Sequence, residues 1–173
     1  MTGQAEEFAS FVHTTSAQLY RTALLLTGDH HLAEDLTQST YARAFAHWRR
    51  VQRAGNPVGY TRTILMNTFL SHRRLRRTGE QPARGADLTE TLADSVDQRG
   101  ASDADPSTRV DLLAALAQLS PTDRAVLVAR YWEDRSITET AHDLGITETA
   151  VRTRAKRAID RLRPLVRDLE GIL

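Results

Sequence analysis

Apolar side chains recur every three or four residues along most of the chain, the spacing of one helix face rather than strand alternation. Phe8, Phe11, Val12, Leu19, Ala23 and Leu26 form the first such stripe. Gly28 suits a left-handed stop after it, and Asp29 suits the cap of a following helix. In that second helix Leu32, Leu36, Ala44 and Trp48 share a face. Asn56, Pro57 and Gly59 interrupt the pattern. A third helix is expected from about Val58 to Arg77, where Ile64, Leu65, Phe69 and Leu70 give way to Arg73, Arg74, Arg76 and Arg77. Further on, Asp105-Pro106 and Ser120-Pro121 each set a capping side chain before a proline that fits the first helical position. Ser136 and Glu139 have the spacing of a capping box, and Thr147 opens a last long helix. The pattern predicts an all-α protein.

Charge divides the chain into three. Residues 1–77 carry ten arginines against five acids, residues 78–108 two arginines against seven acids, and residues 109–173 eleven basic groups against ten acids. The middle strip is rich in Gly, Ser, Ala and Asp and short of groups to bury. It reads as a flexible acidic linker between two small helical domains, 1–77 and 109–173. Leu88, Leu92 and Val96 offer it no more than one marginal helical turn.

Composition narrows the chemistry. The chain has no cysteine, which excludes disulfides and thiolate metal sites, and its six histidines make no zinc pattern. His30 and His31 are adjacent and point to different faces of a helix, so they are read as surface residues. Neither a Gly-rich phosphate loop nor a nucleophile elbow occurs, so no cofactor, metal or catalytic residue is expected and the chain is not read as an enzyme. No run approaches the roughly 20 apolar residues of a membrane helix, and the first residues lack a signal-peptide pattern; a cytoplasmic location is expected. Trp48 and Trp132 are expected to pack in the core or between helices rather than to serve as stacking platforms.

The most informative stretch is Ser136–Leu162. Ala141, Gly145 and Val151 stand at offsets 0, +4 and +10, as a helix-turn-helix requires. The small Ala lets the helices cross, Gly takes a left-handed turn, and Val151 with Ile146 and Leu144 plugs the angle between them. The second helix then carries Arg152, Arg154, Lys156, Arg157, Arg161 and Arg163 against Glu148 and Asp160. Such a helix fits the major groove of DNA.

The run from Leu119-Ser120-Pro121 through Arg124-Ala125-Val126-Leu127, Arg130-Tyr131-Trp132-Glu133-Asp134, Leu144-Gly145-Ile146 and Ala150-Val151-Arg152 to Lys156-Arg157-Ala158 resembles the domain with which sigma factors of RNA polymerase read the −35 promoter element. Ala33-Glu34-Asp35-Leu36-Thr37-Gln38, with Tyr41, Phe45 and Trp48, resembles that family's polymerase-binding helix. Pro57-Val58-Gly59-Tyr60-Thr61-Arg62, with Asn67 and the arginines at 73–77, resembles its −10 melting segment. The short linker points to the extracytoplasmic-function group. The resemblance implies that Asp35 and Gln38 contact core polymerase. It implies that Asn56, Tyr60, Arg62, Asn67, Arg73, Arg74, Arg76 and Arg77 handle the −10 element and its melted non-template strand. Thr149, Arg152, Thr153, Lys156 and Arg157 would then read the −35 element in duplex DNA. An anti-sigma protein is a further partner it implies; the neutral Ser39, where the family usually has Glu, and the Thr-Glu-Thr-Ala start of the last helix depart from its pattern.

The implied promoter elements lie about 22 base pairs apart, or roughly 75 Å at ~3.4 Å per pair. Residues 78–105 as a free coil would average about 30 Å end to end and reach about 95 Å when stretched. Only an external holder such as polymerase would keep them extended, so the free protein is expected to bind DNA poorly. A stand-alone helix-turn-helix regulator would account for residues 109–173 and leave the Asp35–Gln38 helix and the Arg73 cluster without a task.

Overall fold

The computed structural model describes residues 2–77 and 106–165, all of whose regular elements are helical. Of the expected acidic linker, 78–108, residues 78–105 lie outside the described residues, and 106–108 are not linker but the first turn of the helix Pro106–Ala117, which Pro106 opens. The first half comprises α1 (Thr2–Thr27), α2 (His30–Ala46), α3 (Trp48–Arg53) and α4 (Pro57–Arg77); the second comprises α5 (Pro106–Ala117), α6 (Pro121–Leu127), α7 (Ile137–Leu144) and α8 (Glu148–Leu162). A π-helical turn, Val128–Trp132, continues α6.

Helix ends fall where the capping chemistry places them. Gly28 has φ +68° and closes α1, and the Leu32 N–H donates to Asp29 Oδ1 at 2.9 Å to open α2. Ser120 Oγ accepts from the Asp123 N–H at 3.2 Å. At α7 the capping box is complete: Ser136 Oγ accepts from the Glu139 N–H (3.1 Å), and Glu139 Oε2 accepts from the Ser136 N–H (2.8 Å). Two serine hydrogen bonds and the Arg135 charge hold the Glu139 carboxyl below its ordinary value.

Two elements differ from the sequence pattern. Trp48 does not continue the face of α2. The helix breaks at His47 (φ −120°, ψ 27°), and Trp48 opens α3 instead. There it is buried in edge-on and tilted ring contacts with Phe8 and Phe11, a pocket that a straight α2 would not enter. Trp132 is 44 % exposed and not interior. The π turn is the cause. Its closing bond runs from the Glu133 N–H to the Val128 carbonyl (2.9 Å), five residues back. The extra residue swings Tyr131 and Trp132 outward and Glu133 inward.

The two halves share a core. One cluster joins Leu19, Leu26, Leu36, Leu65 and Phe69 of the first half to Val126, Val128, Leu144 and Val151 of the second. A second cluster, centred on Leu116, Leu119, Leu127 and Leu162, also receives Leu25 from α1.

Candidate nucleic-acid interface

At the start of α8 the Ala150 N–H donates to Thr147 Oγ1 at 3.1 Å, and the preceding turn is made by Gly145 at φ +65°. The Cβ of any other residue would strain that backbone, so this glycine sets the angle between α7 and α8. Val151, Ala155, Ala158 and Leu162 are buried along one side of α8. Thr149, Arg152, Thr153, Lys156 and Arg157 are all exposed, and at 100° per residue they fall within one arc of about 140° on the other side. The structure therefore gathers all five expected −35 residues on one face. Arg154 lies off that arc and pairs with buried Asp123 at 2.7 Å, which fixes the rotation of α8 against α6. Arg152 is held by Glu148 at 3.2 Å, whose other oxygen accepts from the Thr138 hydroxyl at 2.8 Å.

The expected −10 residues are split. Along α4 the positions of Tyr60, Asn67 and Arg74 are seven apart and share one face; Arg62 and Arg73 lie almost opposite. Asn67 and Arg74 are exposed, whereas Tyr60 is half-buried against the Trp48 cluster. Asn56 caps α4, its Oδ1 accepting from the Gly59 N–H at 2.9 Å; a Cβ at Gly59 would stand 2.8 Å from the Asn56 amide nitrogen, so a larger residue there would displace this cap. Arg73 lies over the Phe69 ring, 5.8 Å from its centre. The helix carries Arg76 and Arg77 at its end, and their side chains lie outside the described set. Arg62 faces the second half: its Nε lies 2.6 Å from Glu133 Oε2.

Asp35 and Gln38 are exposed on α2, while Leu36 between them is buried. Both line a groove of about 350 Å³ that Arg73 also borders. Tyr41, on the inner side, is half-buried and shares a 2.8 Å hydrogen bond with the Thr15 hydroxyl; burial raises its pKa. His30 is not free on the surface: its Nδ1 pairs with the Tyr20 hydroxyl and its Nε2 lies 3.3 Å from Glu34. Among the described residues no three His, Asp or Glu side chains gather as metal ligands, and no helix is long and apolar enough to cross a membrane.

Two family models match the chain: Sigma-70 region 2 over residues 11–78 and Sigma-70, region 4 over residues 115–164. The chain is 34 % identical over 172 residues to the RNA polymerase sigma-E factor of Streptomyces coelicolor, covering 98 % of this chain and 92 % of that protein. It belongs to the extracytoplasmic-function sigma factors. Another member, SigL of Mycobacterium tuberculosis, is 33 % identical over 162 residues, 89 % of this chain and 85 % of that one. In fold, this sigma factor is similar to RpoE of Bartonella quintana, solved in complex with the anti-sigma factor NepR (TM-score 0.69, 24 % identity, 94 % of this chain and 98 % of that chain). It is also similar to CnrH, solved in complex with the cytosolic domain of CnrY (TM-score 0.57, 20 % identity, 95 % of this chain and 90 % of that chain). As a sigma factor the chain acts in promoter-specific transcription initiation through RNA polymerase.

Three features of this sigma factor escape a reading of sequence periodicity. Glu133 faces inward at the end of the π turn. Arg124, which stands in a basic-apolar run, is buried and donates from Nη1 to the Leu26 carbonyl at the end of α1 (2.6 Å), a partner 98 residues away. Desolvation and the nearby Arg73 charge bring its pKa down to about 10. The Asp123–Arg154 pair is likewise set by the packing of α6 on α8.

Proposed function

We propose that this sigma factor binds core RNA polymerase through the Asp35–Gln38 face of α2, engages the −10 element through α4, and reads the −35 element by inserting α8 into the major groove. The observation that carries this reading is the α8 face. Five polar or basic side chains project from it together, and the opposite side is anchored in the core. The N-terminal side chains of such a helix reach base edges, and basic groups further along neutralise phosphate. Arg152 and Thr149 fall in the first group, Lys156 and Arg157 in the second. On α4, Asn67 and Arg74 form the accessible stripe; they would hold extruded bases and phosphate of the non-template strand, with Tyr60 beside them. No nucleotide is hydrolysed in this scheme, and opening draws on binding energy.

The complex of RpoE with the anti-sigma factor NepR supports an anti-sigma partner for this chain as well. Run-off transcription with purified core polymerase on a library of promoters is the direct test. The expected result is transcript from promoters sharing two elements, and none from core alone. A chain that binds those promoters but never directs core polymerase to them would be a stand-alone regulator instead.

A further inference from the structure

Glu148, the first residue of α8, has both carboxylate oxygens engaged. Oε2 accepts from Arg152 Nη2 at 3.2 Å, one helical turn further on. Oε1 accepts from the hydroxyl of Thr138 at 2.8 Å, and Thr138 stands in the first turn of α7. The link therefore crosses the helix-turn-helix. It ties a side chain on the exposed face of α8 to a helix start that the Ser136–Glu139 capping box already fixes. The α7 acids are occupied elsewhere: Arg135 holds Glu139 at 3.2 Å and Asp143 at 2.7 Å. The other ion pair on the outer side of α8, Lys156–Asp160 at 3.1 Å, lies wholly within that helix. Lys156 is thus held by a neighbour on its own helix, whereas Arg152 is referred to a point on another.

From this geometry we propose that Glu148 is a positioning residue for base reading: oriented by Thr138, it sets the direction in which Arg152 presents its guanidinium to the −35 element. The proposal rests on the assignment of Arg152 to −35 reading made above. A guanidinium carries five N–H donors. One of those on Nη2 is taken by Glu148, and the rest stay available for a base edge. Guanine is read through two parallel bonds, to O6 and N7, which require the planar group in one orientation. An untethered arginine spreads over many rotamers and loses that freedom on binding; one already held at Nη2 has less to lose.

Charge separates this role from simple attraction. A carboxylate on a face that meets phosphate lowers affinity for any DNA sequence. Glu148 therefore works against binding and in favour of selectivity. In the free protein the pair is exposed, 58 % for the Arg152 side chain and 44 % for that of Glu148, so it adds little to stability. Once α8 enters the groove and water leaves, the same bonds lie in a lower dielectric and hold more firmly. Glu148 also suits the start of α8 through the helix dipole. Thr138→Val leaves that contribution in place, because it removes only the hydroxyl that orients the carboxylate.

The test uses the full chain assembled with core polymerase, transcribing from promoters with a randomised −35 element. Arg152→Ala marks the position that Arg152 reads, by loss of guanine enrichment there. Thr138→Val and Glu148→Gln should each lower guanine enrichment at that same position about threefold and leave the other positions unchanged. A fall in the correctly oriented fraction from about nine tenths to about three tenths gives that factor. Thr138→Ser, which restores the hydroxyl, should match the parent. Glu148→Gln should also bind a promoter with a scrambled −35 element more tightly than the parent, because a negative charge has gone. Circular dichroism melting checks that each variant keeps its helices. Enrichment unchanged in Thr138→Val and Glu148→Gln, while Arg152→Ala still erases it, overturns the positioning and leaves reading by Arg152 standing. A preference relaxed at a different position in Glu148→Gln overturns it as well, since Glu148 would then touch a base itself. So does an even loss at every position, the mark of a merely structural contact. If Arg152→Ala alters no preference, the −35 assignment of Arg152 has failed and the positioning falls with it.

Discussion

Arg152 and Arg157 both lie on the exposed face of α8, yet their positions along the helix predict different losses. Arg152 sits in the first turns, where a guanidinium can pair with guanine through two hydrogen bonds, worth roughly 1–3 kcal/mol of discrimination. Arg152→Ala should change which −35 sequences are transcribed. Arg157→Ala should lower output on all of them and reduce the salt slope of binding by about one unit. Selection from randomised −35 elements with each variant separates the two; identical preferences for the parent and Arg152→Ala would remove Arg152 from the reading set. On α2, Asp35→Arg should weaken binding to core polymerase and leave the melting temperature almost unchanged, because Asp35 is exposed and the adjacent Leu36 holds the core. Co-purification with core polymerase measures it. These faces were legible in the sequence because exposure on a regular helix follows from its period. Arg62 was not legible in the same way. Its partner is 71 positions away in the chain and points inward for a reason that no period of 3.6 contains.

Helix ends were the most readable elements, since a cap is a local matter of one side chain and the next three backbone N–H groups. Gly28, Asp29, Ser120, Ser136 and Thr147 all occupy the roles their chemistry suggests. The break at His47 and the turn at Val128–Trp132 were hidden, because neither carries Gly or Pro; tertiary packing of Trp48 against Phe8 and Phe11 competes with helix continuation and wins. The helix-turn-helix gives two tests at this scale. Gly145→Ala, at φ +65°, should cost roughly 1 kcal/mol and tilt α8, lowering specific binding more than stability alone explains. The capping box adds a dependence on pH. Glu139 has a folded-state pKa below its ordinary 4.5, so it contributes stability that is complete above that value and is lost as pH falls through the lowered one. Acid unfolding of Glu139→Gln should therefore be less steep than that of the parent below pH 4.5, as followed by circular dichroism.

Across the whole molecule, the shared cluster couples two segments that sequence alone presents as separate blocks of opposite company, one before and one after an acidic strip. Composition marks where chain segments differ; it is silent on whether their apolar faces meet. Leu65 of α4 and Val126 of α6 are both fully buried in that one cluster. Leu65→Ala should cost about 2–5 kcal/mol and, in the free protein, lower hydrogen-exchange protection around Val126 as well as around its own helix. Protection lost in α4 alone would mean that the halves unfold independently.

The π turn has a consequence of its own. One residue beyond the ordinary winding offsets the residue that ends the turn, Glu133, by about 100°. Removing a single residue from Val128–Trp132 would rewind the turn and carry the Glu133 carboxylate a quarter-turn or more around the axis, away from its partners Thr22 and Arg62. The grip between the halves is thus recorded as an error of pitch. A lineage could gain or lose it by one codon, without altering a single side chain on the exposed face of α8.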